Sequence, residues 1–314
     1  MIKTEWSFTI IADMKDSDDQ NEKDDLQIIE IIKDLLKATE EYNSGNKIYI
    51  SFCLKAKQSF VSNINPLILL NSNKEEIVIF NGSSKNYEII ECDISTSEGI
   101  KLIFENYVSS KINASFFGLL TWGHGAVYSF FSRLNKINEF SNTDIADNLK
   151  MINSKDIYHD FFDTQKNLQI SDRYLNMDEL SNGILLGMNR KIDLIVMAHC
   201  YMAYYETGRM MNLCSKYWVA TLNVTQFNSI NFKEVFNYIH TNTSIVSPNT
   251  LSIKFIPIID ENGKKQRKND FFSYDLLNYG MLKKEIFALA GFLLDELEKN
   301  GVDAIKSARQ KCID

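Results

Sequence analysis

Residues 191–200 read KIDLIVMAHC, and residues 114–125 read ASFFGLLTWGHG. Each is a short apolar run typical of a buried strand, and each stops at a residue that can do chemistry, Cys200 or His124. Sites in open α/β sheets collect at the carboxyl ends of parallel strands. The two side chains can therefore meet although 76 positions separate them. A thiol beside an imidazole is what a cysteine hydrolase requires.

Strand-like and helical patterns alternate through most of the chain. Buried-strand runs occur at residues 7–12, 47–54, 76–80, 87–92, 217–222 and 271–277, and helical spacing at 24–42, 203–213, 232–240 and 282–300. An Asn-Gly pair at 81–82 predicts a hairpin between two of the strands. The alternation predicts an α/β fold, a three-layer α/β/α sandwich with a mainly parallel central sheet.

Capping patterns place two further helix starts. Ser95 with Glu98, and Asn176 with Glu179, have the spacing of a capping box and predict helices that begin there. Residues 251–259 (LSIKFIPII) are apolar and β-branched, and they predict an edge or early-ending strand because of the proline they contain.

The domain organisation is expected to be simple. No internal repeat or Pro/Gly/Ser-rich linker divides the chain, so residues 1–314 are predicted to form a single domain. The polar, Asn-rich stretch at about 126–170 is interpreted as a long insertion with little regular structure. A C-terminal subdomain from about residue 245 stays open as an alternative.

Charge and cysteine content exclude several classes of protein. The net charge of −7 and pI near 5.3 argue against a general nucleic-acid partner. No apolar stretch approaches the roughly 18 residues of a membrane span, and residues 1–10 lack a signal-peptide layout. The odd number of cysteines without CxxC spacing indicates reduced thiols in a cytoplasmic protein: Cys53, Cys92, Cys200, Cys214 and Cys312.

An acidic run near the start invites a calcium interpretation. Residues 13–25 contain seven carboxylates, and oxygen ligands suit that ion. The run lacks the EF-hand glycine, so a solvated loop with negative charge at a helix N-terminus is the favoured interpretation. We therefore predict no metal site and no cofactor, with calcium as the weaker alternative.

Five short blocks, in order, carry a family resemblance. They are residues 6–13 (WSFTIIAD), 119–125 (LLTWGHG), 172–180 (DRYLNMDEL), 193–202 (DLIVMAHCYM, followed by Glu206) and 273–276 (SYDL). Together they span nearly the whole chain and resemble the clostripain-like cysteine peptidases, family C11 of the caspase-like superfamily. The His-Gly and Cys-x-Met blocks are the most specific of the five.

The resemblance implies roles for particular residues. It implies that Cys200 is the nucleophile and His124 the catalytic histidine, acting through an acyl-enzyme on a protein or peptide substrate. It also implies that the backbone N–H of Gly125, with that of Cys200, holds the oxyanion. No third catalytic residue is implied, and an activating partner is left open.

The sequence departs from the family around the substrate pocket. Ala198 stands where the family usually has an aspartate that helps to accept Arg or Lys at P1, and a carboxylate is what binds those cations strongly. The P1 preference is therefore expected not to be Arg or Lys. His199 either lines the pocket or is a structural histidine, and Asp275 either adds polarity to the pocket or caps a turn. With these departures, a catalytically silent binding or regulatory module is the alternative function.

Overall fold

A computed structural model describes residues 1–14, 22–43, 46–71, 74–123, 125–126, 129–132, 174–199, 202–221, 232–255, 271–300 and 302. His124, Cys200 and most of the insertion expected at 126–170 lie outside the described residues. The single-domain organisation, the insertion and the subdomain boundary near 245 stay predictions.

Eleven strands of the described chain form two sheets. The strands are β1 (Ile2–Met14), β2 (Ile48–Ala56), β3 (Glu76–Asn81), β4 (Tyr87–Glu91), β5 (Ile112–Gly123), β6 (Gly125–Ala126), β7 (Ser129–Ser132), β8 (Tyr174–Asn176), β9 (Ile192–Ala198), β10 (Ser215–Thr221) and β11 (Phe271–Asp275). The main sheet has the order β11-β10-β9-β5-β1-β2-β3-β4, and β6-β7-β8 form a small one. Neighbours from β10 to β2 are parallel, whereas β11 and β3 run antiparallel to the strands beside them. The predicted mainly parallel sheet is confirmed.

The helices connect these strands. They are α1 (Glu22–Asn43), α2 (Gln58–Ile64), α3 (Ser97–Ile103, continued by a π-helical segment, Phe104–Ser109), α4 (Met177–Met188), α5 (Tyr205–Cys214), α6 (Phe232–Thr241), α7 (Pro248–Lys254) and α8 (Tyr279–Asn300), with a 3-10 turn at Leu276–Asn278. Within the described part of the chain, no helix is long and apolar enough to span a membrane.

Two hydrophobic cores lie on opposite faces of the main sheet. One core joins the sheet to α1, α2, α6 and α7, and it is rich in buried aromatic rings, among them Trp6, Phe8, Phe52, Phe236 and Phe255. The other joins the sheet to α3, α4 and α5 through mostly aliphatic side chains, among them Ile100, Leu180, Ile184, Ile195 and Met211. The sheet is thus covered on both faces, as parallel sheets require, and the predicted α/β/α sandwich is confirmed.

The capping predictions had different outcomes. The capping box of α4 is confirmed, because the Glu179 N–H donates to Asn176 Oδ1 at 2.8 Å and the Asn176 N–H donates to Glu179 Oε2 at 3.1 Å. The box predicted at Ser95 is wrong by one residue. Thr96 caps α3 by accepting the Gly99 N–H at 3.1 Å, since the Ser95 hydroxyl is bonded to a nearby aspartate instead.

The strand predicted at residues 251–259 is wrong over residues 251–254, which belong to α7, whereas residues 256–259 lie outside the described residues. Ser247 caps this helix with its side chain, and Pro248 occupies the first turn, where its missing N–H is not needed. Leu251 and Phe255, four residues apart, are both buried against the aromatic core. The capping signal and the helical spacing prevail over the β-branched composition.

Two glycines allow α4 and α3 to approach closely. A Cβ built on Gly187 would lie 2.6 Å from the Cβ of Phe104 and 2.8 Å from the carbonyl oxygen of Lys101. A Cβ on Gly183 would lie 2.7 Å from the Cβ of Ile100. Neither backbone nor Cβ atoms can rotate away, so these contacts exclude any side chain.

Gly187→Ala is therefore expected to lower the free energy of unfolding by about 1–3 kcal/mol through overpacking. Helix propensity alone would raise it by about 1 kcal/mol, so the sign of the change distinguishes the two effects. Gly291→Ala is the matched control, because Gly291 is also helical but has no atom within 4 Å of its would-be Cβ. Urea unfolding should show Gly187→Ala destabilised and Gly291→Ala slightly stabilised; two stabilised variants would contradict the close helix contact.

Candidate active site

The carboxyl ends of five parallel strands share one edge of the main sheet. They are the ends of β1, β2, β5, β9 and β10, at Met14, Ala56, Gly123, Ala198 and Thr221. Strands β5 and β9 are direct neighbours, and their register pairs Trp122 with Ala198. His124 follows Gly123 directly in the sequence, and Cys200 is the second residue after Ala198. The side chains of His124 and Cys200 are outside the described residues, so their contact stays a prediction.

This edge contains the switch point of the sheet. From β1 the chain runs outward through β2, β3 and β4, then returns to β5 on the other side of β1. Such a reversal leaves a crevice outside the carboxyl ends of the two strands, where α/β proteins bind ligands. Asp13 and Gly123 are register partners across it.

Gly123 is required by the geometry of that crevice. Its φ is +153°, a value that side chains disfavour, and a Cβ there would lie 2.8 Å from the carbonyl oxygen of Asp13. The residue directly before His124 is thus held against β1 in a conformation that glycine alone adopts easily.

Two charged residues are buried at this edge: Asp13, which the sequence places in the acidic run and at the end of the first family block, and Lys55, to which the sequence analysis gave no role. Asp13 and Lys55 are register partners on β1 and β2, with only 6% and 1% of their surfaces exposed. Lys55 Nζ lies 3.5 Å from Glu75 Oε2. A signal was present, because each residue stands at the carboxyl end of an apolar strand, as His124 does. The strand-end criterion could have found both.

The chain on both sides of position 200 is fixed by buried contacts. Ala198 ends β9 within the core, and Met202 and Ala203 are buried as well. The N–H groups of Met202 and Ala203 donate to the carbonyl oxygen of Thr221 at 2.9 and 2.8 Å. The described residues on either side of positions 200–201 are therefore held by β9 before them and by the end of β10 after them.

The two pocket candidates beside Cys200 are buried. Ala198 belongs to the aromatic core with its register partner Trp122, whose ring lies 5.5 Å from that of Phe232. His199 has no exposed surface. Full burial favours the structural alternative for His199 over a pocket-lining one.

Asp275 lies at the other edge of the sheet. Strand β11 is antiparallel to β10, so Asp275 pairs with Tyr217, near the start of β10. Its carboxylate caps the following 3-10 turn by accepting the Leu277 N–H at 3.0 Å, and it also accepts from the Asn278 side chain at 2.9 Å. Asp275 is not brought together with the strand ends, and the structure favours its capping role over the pocket role.

Asp193, the first residue of the block that contains Cys200, is also distant from the site. It stands five residues before Ala198 on β9, roughly 16 Å away along the strand. Its buried carboxylate accepts the Phe117 N–H at 2.9 Å and the Lys216 ammonium at 2.7 Å. It therefore ties β5, β9 and the start of β10 together and fixes the register that aligns the strand ends.

The backbone after His124 enters the small sheet. Gly125 in β6 pairs with Phe130 in β7, and β7 pairs with β8, which leads into α4. Residues 129–132 are therefore strand, although the sequence predicted little regular structure from 126 onward. The oxyanion role of Gly125 stays a prediction.

The described cysteines are not reactive. Cys53, Cys92 and Cys214 are free and buried. Burial raises the pKa of Cys92 and of Cys214 to about 12, and it raises the pKa of Cys53 further. All three are protonated thiols at neutral pH, whereas the nucleophile in thiol chemistry is the thiolate. Packing is therefore their role.

Metal binding finds no support in the described ranges. No cluster of three His, Cys, Asp or Glu side chains able to hold an ion occurs among those residues. Residues 15–21 of the acidic run lie outside them, so the calcium alternative stays open there.

Comparisons with known proteins bear on the fold. No protein-family model matches this sequence. No curated protein gave a significant match either. Among solved structures, a secreted C11 cysteine protease from Bacteroides thetaiotaomicron, "iotapain", superposes with a TM-score of 0.54 at 12% identity, over 89% of this chain and 68% of the other. An inactive zymogen C11 protease from Parabacteroides distasonis gives 0.50 at 11% identity, over 90% and 64%.

This chain thus spans about two thirds of the length of either structure. At such low identity the likeness defines the fold, and the α/β caspase-like architecture of the C11 proteases is the fold of this chain. The resemblance predicted from the five sequence blocks is supported at that level.

Proposed function

We propose that this protein is a cysteine peptidase in which Cys200 is the nucleophile and His124 moves protons. One observation carries the proposal. Trp122 and Ala198, which are paired in the β5–β9 register, are 76 positions apart, and so are His124 and Cys200. Continued by two residues, that register would set the two residues opposite each other on strands about 4.8 Å apart.

The proposed reaction has two steps. The thiolate of Cys200 attacks the peptide carbonyl carbon, the C–N bond breaks, and His124 protonates the departing amine. Water then hydrolyses the thioester and releases the carboxylic acid. A positioned imidazole contributes roughly 10²–10⁴-fold to such a reaction. An oxyanion donor, here the N–H of Gly125 or of Cys200, contributes about 3–4 kcal/mol.

The surroundings of the site support this chemistry. The strand ends lie beside the switch point of the sheet, and buried residues anchor the segment of Cys200 on both sides. A nucleophile placed on rigid elements keeps its geometry through the reaction. The fold shared with the C11 cysteine proteases is a supporting analogy.

The proposed substrate is a protein or peptide whose P1 residue is small or apolar. Ala198 supplies no carboxylate, and its neighbour in the register is the buried ring of Trp122. A cationic P1 side chain would find no charge partner at that position, and a buried unpaired charge is costly.

A fluorogenic peptide library varied at P1 tests both activity and preference. We expect kcat/KM for the best small or apolar P1 residue to exceed that for Arg and Lys by at least about tenfold. The matched control is Cys200→Ala, which should cleave none of the peptides. A preference for Arg or Lys would contradict the specificity proposed from Ala198, while leaving the peptidase itself in place.

The library also decides between the proposed function and the alternative. A chain that binds these peptides but turns none of them over would be the catalytically silent binding module. A cytoplasmic location, expected from the cysteines, and an activating partner remain proposals that cell fractionation and activity in a lysate would test.

A further inference from the structure

A row of buried polar residues lies one position before the proposed catalytic histidine. The strand registers pair Asp13 on β1 with Lys55 on β2 and with Gly123 on β5, at the carboxyl ends of all three strands. Asp13 is 6% exposed and Lys55 is 1% exposed. Because His124 follows Gly123 in the sequence, the Asp13 carboxylate lies in the row that directly precedes His124.

Gly123 brings the backbone before His124 onto Asp13. A Cβ built on Gly123 would lie 2.8 Å from the carbonyl oxygen of Asp13 and 3.7 Å from the Asp13 Cβ. Consecutive Cα atoms are about 3.8 Å apart, so the Cα of His124 is at most about 9 Å from the Asp13 Cβ. An imidazole and a carboxylate that share a hydrogen bond span such a distance.

The conformation of Gly123 also interrupts the alternation of side chains along β5. In a regular strand, whose φ is negative, the residue after Gly123 would point to the face opposite Asp13. The φ of +153° at Gly123 turns the chain out of that pattern. Sparsely populated backbone conformations cluster at active sites, where the surrounding structure holds them. The altered direction allows the imidazole of His124 to turn towards the side of the sheet that carries Asp13.

The charges near this row favour a positive charge beside Asp13. Lys55 Nζ lies 3.5 Å from Glu75 Oε2, so Asp13, Lys55 and Glu75 together supply two carboxylates and one ammonium. Burial leaves little solvent to stabilise the Asp13 carboxylate, and an opposite charge is then worth more. A protonated imidazole supplies that charge, and the carboxylate in turn favours the protonated form of the imidazole.

We propose that Asp13 is a positioning residue for His124 and that its carboxylate accepts a hydrogen bond from the imidazole. The inference rests on the proposed function, in which His124 protonates the departing amine. Asp13 fixes which imidazole nitrogen faces the substrate, and it keeps the ring protonated until the C–N bond breaks. A histidine that serves a nucleophile is typically oriented by a third group in this way.

Asp13→Asn tests the role, since it removes the charge and keeps the shape of the side chain. With the best library peptide, kcat should fall at least about tenfold while KM stays within about twofold. The alkaline side of the pH profile of kcat should move to lower pH, because an imidazolium without a neighbouring carboxylate loses its proton more easily. A merely structural change would lower the amount of folded enzyme without moving that profile.

Asp193→Asn is the matched control, because Asp193 is also a buried carboxylate of the main sheet but lies near the start of β9. It should lower the free energy of unfolding and leave the pH profile of the folded enzyme unchanged. The other titratable groups described near the row, those of Lys55, Glu75 and His199, are the same in both variants. A difference between the two profiles therefore reports the charge at Asp13.

Histidine NMR provides a readout that requires no activity. The chain has four histidines, and the spectrum of His124→Ala identifies the resonances of His124. The imidazole of His124 should titrate at least about one pH unit lower in Asp13→Asn than in wild type. If wild type cleaves no peptide but this change occurs, the proposed function fails while the contact between Asp13 and His124 stands.

Two results would overturn the inference and leave the peptidase itself in place. The first is a His124 titration that Asp13→Asn leaves unchanged, whatever happens to kcat. The second is a higher KM or an altered P1 preference at unchanged kcat, which means that Asp13 binds substrate and does not position the histidine.

Discussion

Cys200→Ala should lower kcat/KM for peptide hydrolysis by about 10⁴-fold or more, because it removes the thiol that forms the proposed acyl-enzyme. Loss of an activating imidazole costs less, so His124→Ala should retain more activity, with a loss of roughly 10²–10⁴-fold. Cys200→Ala should lose more activity than His124→Ala because Cys200 forms the covalent bond to the substrate, whereas His124 only moves protons. Initial rates with the best library peptide, at matched protein concentration and with folding checked by circular dichroism, measure them.

The control for this pair uses residues of the same types elsewhere in the fold. Cys92→Ala removes a buried thiol whose pKa is raised to about 12, and His240→Ala removes a histidine whose ring lies 5.2 Å from that of Tyr42 on α1. Both should keep kcat/KM within about twofold once folded protein is counted. Activity that survives Cys200→Ala but is lost in Cys92→Ala would show that Cys200 is not the nucleophile.

Asp193→Ala should produce the largest loss of stability among single changes to charged residues of the described chain. Its carboxylate has no exposed surface and holds the Phe117 N–H and the Lys216 ammonium. Removal leaves a buried N–H without its acceptor, which costs about 1–3 kcal/mol, and it also breaks the ion pairs with Lys216 at 2.7 Å and Arg190 at 3.4 Å. Since the Lys216 side chain is 39% exposed and can be solvated, we expect a total of about 2–4 kcal/mol.

Two variants bracket that prediction in chemical denaturation. Asp34→Ala removes an exposed carboxylate on α1 and should change the free energy of unfolding by less than about 0.5 kcal/mol. Lys216→Ala removes the partly exposed partner and should cost less than Asp193→Ala, because the Phe117 N–H keeps its acceptor. If Lys216→Ala lowers the free energy of unfolding more than Asp193→Ala does, the hydrogen bond to the Phe117 N–H is not the main contribution of Asp193 to stability.

The sequence predicts the sheet and its edge well for a physical reason. A buried strand needs a continuous apolar run, and the runs before His124 and Cys200 are local in sequence. The capping box at Asn176 is local too, since its two hydrogen bonds link residues three positions apart. Patterns that involve only residues close together in the sequence can be recognised without knowing the rest of the structure.

The errors arise where distant contacts or competing local signals decide. The apolar composition of residues 251–259 predicts a strand, but residues 251–254 are helical because Ser247 and Pro248 begin α7 and because Leu251 and Phe255 both reach the aromatic core. The role of Asp275, which the sequence leaves open between the pocket and a turn cap, depends on the direction of β11, which is set by its antiparallel pairing with β10. No spacing within residues 271–277 encodes that direction.

The burial of Lys55 is a further feature that the sequence alone does not predict. A lysine near the end of a strand normally reaches solvent, but here Glu75 approaches from the segment before β3 and the ammonium is enclosed. Its partner is 20 positions away in the sequence. The position of Lys55 at a strand end can be recognised from the sequence, but the burial of its charge follows only from the approach of Glu75.

The most direct measurement is the site of covalent labelling by an irreversible peptide electrophile with a small or apolar P1 residue, located by mass spectrometry at neutral pH. The raised pKa values of Cys92 and Cys214 keep both protonated and slow to react. We expect a single label on Cys200, formed at least about tenfold more slowly in His124→Ala and absent from urea-unfolded protein on the same timescale. Labelling that spares Cys200, or that proceeds at Cys200 equally fast in the unfolded chain, would contradict the account.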